Sequence, residues 1–178
     1  DMAFAGNVSG KLTLQQSREN EVTGGFAFNT AKATIDAPTL FPKPLKLRKA
    51  GIAGRLVNNF HEIHVDSLSV EFPDTKVVAQ GVATHGDDGW GVTGDSSATA
   101  LDMTLLYKYW PLPVAGDTRE WVMEHITGGK AESSTLKFDF QPADFAGDTM
   151  RDEALHSVVV AKGIDVNYIP GFPPVKGM

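Results

Sequence analysis

Residues 107–129, YKYWPLPVAGDTREWVMEHITGG, form the one segment of this 178-residue chain whose pattern predicts a helix. Asp117 suits the N-cap position, and Glu120 three residues later completes a capping box. Gly128 and Gly129 supply the left-handed backbone conformation that ends a helix. Between these signals, one stripe of side chains at helical spacing consists of Trp121, Val122, His125 and Ile126.

The helix predicted around 117–127 follows an aromatic cluster that ends at a proline, Tyr109-Trp110-Pro111. We expect a short amphipathic helix that lies against a sheet or plugs its end. The simpler interpretation is that Trp121 packs in a core, because an isolated apolar stripe is usually buried. The alternative is that the helix gates a groove.

Strands are predicted on both sides of this segment, because apolar and polar residues alternate there. A tight turn is predicted over the Gly-Asp-Asp-Gly sequence at 86–89. The predicted strands cover 8–14, 22–28, 32–36, 46–58, 62–72, 76–84, 90–101, 136–140 and 158–168.

The strand predicted over 62–72 changes phase in its middle. A bulge near Asp66-Ser67 would absorb one residue and restore a single apolar face. The apolar residues that such a bulge places on one side are Ile63, Val65, Leu68, Val70 and Phe72.

These strands predict a mainly β protein with a single domain over residues 1–178. Long alternating strands joined by polar turns are typical of an antiparallel meander with one apolar and one polar face. One short helix is too small to cover the apolar face of about nine strands. We therefore expect a curled sheet, either an open groove or a partial barrel, with one short helix around 117–127.

Composition excludes several classes of function. The net charge of −6 and the lack of a Lys/Arg cluster argue against nucleic-acid binding. The absence of cysteine excludes disulfides, thiolate metal sites and a cysteine nucleophile. The N-terminal residues do not resemble a signal peptide, and we expect the chain to be an internal segment of a longer protein.

Two groups of polar residues contain side-chain types that can bind metal ions. His61, His64 and Asp66 do not share one face of a strand, so exposed strand polar residues are the preferred interpretation. The Gly-rich turn with His85, Asp87 and Asp88 lacks the acidic spacing of an EF-hand, and a solvated hairpin turn explains it. We expect no metal site and no cofactor.

No motif in the sequence predicts an enzyme. A Gly-x-Ser-x-Gly nucleophile elbow is missing, and no Gly-rich phosphate loop connects a strand to a helix. A Ser/His/Asp triad remains open, because its members need not be neighbours in sequence.

Short motifs run through the second half of the chain, most clearly from about 101 to 178. They are Tyr109-Trp110-Pro111, Thr118-Arg119, Trp121-Val122, Ile126-Thr127-Gly128-Gly129, Asn167-Tyr168-Ile169-Pro170-Gly171 and Pro173-Pro174. In their order and spacing, these motifs resemble the AsmA-like proteins, and among them the YhdP-type branch.

That resemblance implies a segment of a cell-envelope protein from a Gram-negative bacterium. The parent protein would be anchored in the inner membrane by a helix outside this fragment and would stand in the periplasm. Its curled β-sheet would carry phospholipid along an apolar groove between the inner and outer membranes, supporting outer-membrane integrity. The partners implied are phospholipid or another acyl-chain ligand and the rest of the parent chain.

The strands suggest which side chains would line such a groove. The predicted lining residues share one strand parity and are Phe26, Phe28, Leu136, Phe138, Phe140, Val160, Ile164, Val166 and Tyr168. The alternative function is a structural or interaction module of the envelope, whose sheet face and open edges dock neighbouring segments or partners without lipid cargo.

Overall fold

The computed structural model describes residues 2–146, 150–168 and 173–177 of the chain. It contains one sheet in which every strand is antiparallel to the next along the chain. The strands are β1 (Ala3–Gln16), β2 (Val22–Asp36), β3 (Leu45–Val57), β4 (Glu62–Glu71), β5 (Lys76–Gly86), β6 (Gly89–Asp102), β7 (Ile126–Phe140) and β8 (Leu155–Val166).

The predicted fold class is confirmed, and the sheet is open. Strands β1 and β8 form its two edges and do not pair with each other, so the meander does not close into a barrel. Helices in the described chain are short and lie in connections: α1 (Leu106–Tyr109), α2 (Gly116–His125) and α3 (Pro142–Ala146). Single turns of 3₁₀ helix occupy Asn58–Phe60, Met103–Leu105 and Asp152–Ala154.

The described residues form eight strands rather than the nine predicted, because 22–28 and 32–36 belong to one continuous strand, β2. Lys32 has a φ of 55°, and the register with β1 shifts between Ala5 and Asn7. This irregularity interrupts the apolar alternation in the sequence without ending the strand.

The bulge predicted near Asp66-Ser67 is confirmed. Ala53 of β3 pairs with Ser67, whereas the next residue, Gly54, pairs with Val65, so Asp66 is the extra residue. The strand residues brought to one face by this bulge are Ile63, Val65, Leu68 and Val70.

Cross-strand pairs trace one face across all eight strands, which we call the apolar face. One row across it contains Leu12, Phe26, Gly54, Val65, Gly81, Gly94, Phe138 and Leu155. The next row contains Gly10, Phe28, Ile52, Leu68, Ala79, Ser96, Leu136 and Ser157.

The opposite face is polar, as the alternation predicts. Arg55 pairs there with Asp66 at 3.0 Å, and Gln80 donates a hydrogen bond to Asp95 at 3.1 Å. Both contacts are exposed to solvent, so they contribute little to stability.

Little of the apolar face is covered by other parts of the protein. The chain exposes 11508 Å², whereas a globular monomer of this length would expose roughly 8,400 Å². Within the described residues, no large side chain is fully buried. Most buried apolar residues lie at the end of the sheet where β2, β4, β6 and β8 finish, here called the helical end: Ala33, Ala37, Leu45, Leu47, Leu101, Ala131 and Val166.

The predicted helix exists, but both of its predicted boundaries are wrong. Helix α2 begins at Gly116, and its N-cap residue is Ala115, which has a φ of 48° and makes no side-chain capping bond. Asp117 therefore lies inside the first turn. At the other end Ile126 is already extended, so Gly128 and Gly129 belong to β7 rather than to a helix stop.

Two phenylalanine rings of the apolar face lie over glycines of neighbouring strands. A Cβ added at Gly54 would clash with the backbone carbonyl of His64 and lie 2.7 Å from Cζ of Phe26. One added at Gly94 would clash with the backbone carbonyl of Gln80 and lie 2.9 Å from Cζ of Phe138. The rings therefore pack within the sheet, in space that only glycine leaves open.

We predict that Gly54→Ala and Gly94→Ala each lower the free energy of unfolding by about 1–3 kcal/mol, because the new methyl displaces a ring or the backbone. Urea denaturation followed by circular dichroism measures this change. Gly25→Ala is the matched control, since the nearest atom to a Cβ there is 3.9 Å away. Equal stability of all three variants would contradict the packing described.

Candidate functional site

A groove lies on the apolar face, between strands β5–β8 and two chain connections. Its volume is about 750 Å³, which falls within the range of small-molecule pockets. The connection from β6 to β7 forms one wall at the helical end, and the connection from β7 to β8 contributes Asp144, Met150, Arg151 and Asp152. Side chains of the sheet that line the groove include Val77, Ala98, Leu101, Leu136, Leu155 and Val159.

Contacts to two neighbouring turns hold the wall at the helical end. The Tyr109 hydroxyl donates a hydrogen bond to Asp74 at 3.1 Å, and the Tyr109 ring lies 4.7 Å from the ring of Phe72. Burial, together with the Asp74 carboxylate, raises the pKa of Tyr109 to about 12. The backbone amide of Leu112 donates to the carbonyl of Leu40 at 2.8 Å. These contacts attach the wall to the turns after β2 and β4.

An ion pair between buried Asp144 and half-exposed Arg151 fixes the opposite side of the groove. Nε and Nη2 of Arg151 donate to the Asp144 carboxylate at 3.1 and 2.9 Å, and the Gln141 backbone amide donates to it at 2.8 Å. Nη2 of Arg151 also reaches the carbonyl of Asp139 at 2.7 Å. Hydrogen bonds from the Arg151 side chain, followed by that from Gln141, lower the pKa of Asp144 to about 2.

The charged groups that line the groove are mostly acidic. Asp117, Asp144 and Asp152 contribute three carboxylates, whereas Arg151 contributes one guanidinium, which Asp144 already neutralises. Asp117 and Asp152 form no ion pair within the described residues. The described lining of the groove therefore carries two carboxylates without a protein counter-ion.

The register places most of the predicted lining residues together. Five of them are half-buried on the apolar face: Phe26, Phe28, Leu136, Phe138 and Phe140. Of these, Leu136 lines the groove itself.

The predicted lining residues of the last strand are dispersed. Val160 pairs with Ser133 on the polar face, because the continuous register that sets Leu136 opposite Ser157 places the odd-numbered residues of this part of β8 on the apolar face. Val166 is buried between Ile126 and Val175. A Cβ at Gly129 would lie 2.5 Å from Cδ1 of Ile164, which places Ile164 beside that glycine. Tyr168 is 61% exposed and lies beyond the strand. None of these four residues lines the groove.

The motif residues have separate positions. Tyr109, Trp110 and Pro111 line the groove, and Trp110 Nε1 donates to the carbonyl of Val114 at 2.7 Å. Trp121 is 42% exposed and stacks on His125 at 4.7 Å, so the prediction that Trp121 packs in a core is wrong.

Two other motif positions lie outside the groove lining or outside the described residues. Nε of Arg119 is buried and has no hydrogen-bond partner among the described residues. Arg119 does not line the groove. Pro170 lies outside the described residues.

Sequence reasoning missed the polar part of the groove. Ser96 and Ser157 lie on the same cross-strand row as Leu136, and their parity was the one signal that could have placed them there. Asp144 and Arg151 meet across a connection between strands, where no periodicity links one residue to the other.

Neither histidine group gathers metal ligands. His64 pairs with Glu62 at 3.1 Å, whereas Asp66 pairs with Arg55. His85 lies against the rings of His61 and Trp90. Within the described residues, no three His, Asp or Glu side chains are placed to hold a metal ion.

We predict that Asp144→Asn destabilises the fold near neutral pH. The difference in stability between this variant and the unsubstituted protein should narrow at low pH. The pKa of Asp144 lies below its ordinary 3.8, so its stabilisation is present above about pH 4 and is lost as pH falls through about 2. Urea midpoints measured from pH 6 to pH 2 test this. Asp36→Asn, at an exposed carboxylate, is the control; a pH-independent effect of Asp144→Asn would contradict the assignment.

No helix in the described part of the chain is long and apolar enough to cross a membrane. No protein-family model, curated protein or solved structure matches the chain.

Proposed function

We propose that the apolar face carries acyl chains, so that the protein acts as a segment of a lipid-transfer surface. The observation that carries this proposal is the continuous apolar face on an open sheet whose side chains remain accessible. Val8 and Leu12 are 56% and 52% exposed on β1, and Val159 is 49% exposed on β8. Patches of this extent on a soluble protein mark a binding surface.

Physical chemistry supports an acyl chain as the ligand. Each methylene removed from water contributes about 0.8 kcal/mol, and this gain requires no directional contact. The groove adds a partly enclosed volume at strands β5–β8, while strands β1–β4 offer an open surface beside it. Such a surface holds a flexible tail without any catalytic residue.

The sequence resemblance to AsmA-like proteins extends the proposal to a cellular setting. The chain would be part of a periplasmic bridge that moves phospholipid between the inner and outer membranes of a Gram-negative bacterium. Anchoring in the inner membrane would come from regions outside this chain. This extension depends on the resemblance alone.

The open edge of β1 favours a second candidate, an interaction module of the envelope without lipid cargo. All fourteen residues of β1 are exposed, the strand contains no proline, and Lys11 is its one charge. Such an edge lacks the usual protection against pairing with another strand.

Added charge at the β1 edge distinguishes the two candidate functions, because it should abolish association through the edge and leave lipid uptake unchanged. Ser9→Lys with Thr13→Lys adds charge to the polar side of β1 and leaves the apolar face intact. If the edge is the functional surface, sedimentation velocity will show that the unsubstituted protein self-associates and that this variant does not. Unchanged lipid uptake by a monomeric variant would exclude the edge as the functional surface.

We predict that Val159→Glu lowers phospholipid uptake about tenfold, because a carboxylate on the apolar face opposes acyl-chain burial. Native mass spectrometry after incubation with phospholipid vesicles measures the bound fraction. Val158→Glu is the matched control, since Val158 is 51% exposed but pairs with Thr135 on the polar face. Equal loss of phospholipid uptake in both variants, or no uptake by the unsubstituted protein, would contradict the proposal.

A further inference from the structure

We propose that the groove selects amphiphiles with an ammonium-bearing head over those with an anionic head. This inference rests on the proposed function, in which the tail lies on the apolar face. The inference adds the chemical class of the lipid head group, which follows from the charged residues that line the groove.

The charge of the groove is the first argument. Asp117 and Asp152 are exposed carboxylates that line it and form no ion pair within the described residues. Arg151 is the single cation among the described lining residues, and two of its nitrogens are bound by Asp144. An ammonium group entering the groove gains attraction from two free carboxylates, whereas an anionic head meets repulsion from both.

The position of these carboxylates is the second argument. Asp117 lies in the first turn of α2, on the wall at the helical end, and Asp152 lies in the connection from β7 to β8. The two side chains therefore approach the groove from different walls. Tyr109 and Trp110 line the same space, and aromatic rings add a further attraction for an ammonium group.

An anionic head at Arg119 is the competing arrangement. The buried Nε of Arg119 lacks a partner in the described chain, but Arg119 is absent from the groove lining. The competing arrangement therefore places the head outside the groove.

The test compares lysophosphatidylethanolamine with lysophosphatidylglycerol of the same acyl chain, at neutral pH and low salt. We expect the ethanolamine lipid to bind at least about fivefold more tightly, the effect of one close ion pair at a protein surface. Asp117→Asn/Asp152→Asn should bring the ratio of the two dissociation constants close to one. Thermal unfolding of this variant checks that α2 persists, because Asp117 also stabilises the helix N-terminus.

Asp87→Asn/Asp88→Asn is the control, because it removes the same charge from an exposed hairpin turn that does not line the groove. Loss of selectivity in this control as well would assign it to net charge and overturn the inference. A long-chain alkylamine that competes with the lipid would show that the ammonium group suffices.

The outcomes separate the inference from the function on which it rests. Equal binding of both lipids, or tighter binding of the glycerol lipid, overturns the head-group inference and leaves acyl-chain binding intact. Binding of neither lipid overturns the proposed function itself.

Discussion

One-sided burial is the constraint on which this structure depends. Eight strands present a continuous apolar face, and the helices of the described connections cover only part of it. A second sheet or a closed barrel would bury such a face in most β-proteins. Here the sheet stays open, so the hydrophobic free energy of half-covered residues is left available to a ligand.

Stability must then come from contacts within the sheet and from its helical end. Rings stack along single strands, with centroids 6.2 Å apart for Phe26 and Phe28 and 5.6 Å apart for Phe138 and Phe140. Glycines on adjacent strands accept the rings of Phe26 and Phe138. At the helical end, Leu45 and Leu47 are buried without help from a second layer of sheet. The fold is therefore held by neighbours in the sheet rather than by a central core.

The sequence predicts the repeating part of this fold well. Period-two alternation identified the strands and the two faces, and the phase slip located the bulge at Asp66 because side chains must return to the same face. Prediction from the sequence failed where pairing with a neighbouring strand sets the backbone geometry. Gly128 and Gly129 fit a helix stop by local chemistry, yet pairing with β8 makes them part of β7. Val160 lies on the polar face for a related reason, since the pairing that decides which parity of β8 is apolar cannot be read from the alternation of β8.

The connection at the helical end divides the apolar face into two chemically different parts. Over β5–β8 a ligand meets aromatic rings, serine hydroxyls and carboxylates, whereas β1–β4 offer only apolar side chains and glycine along the same rows. In the proposed function, an amphiphile bound with its head among these polar groups extends its tail over the apolar rows that cross the strands towards β1. The tail then ends near the open edge at β1. Another strand paired with that edge would extend the apolar face available to the tail.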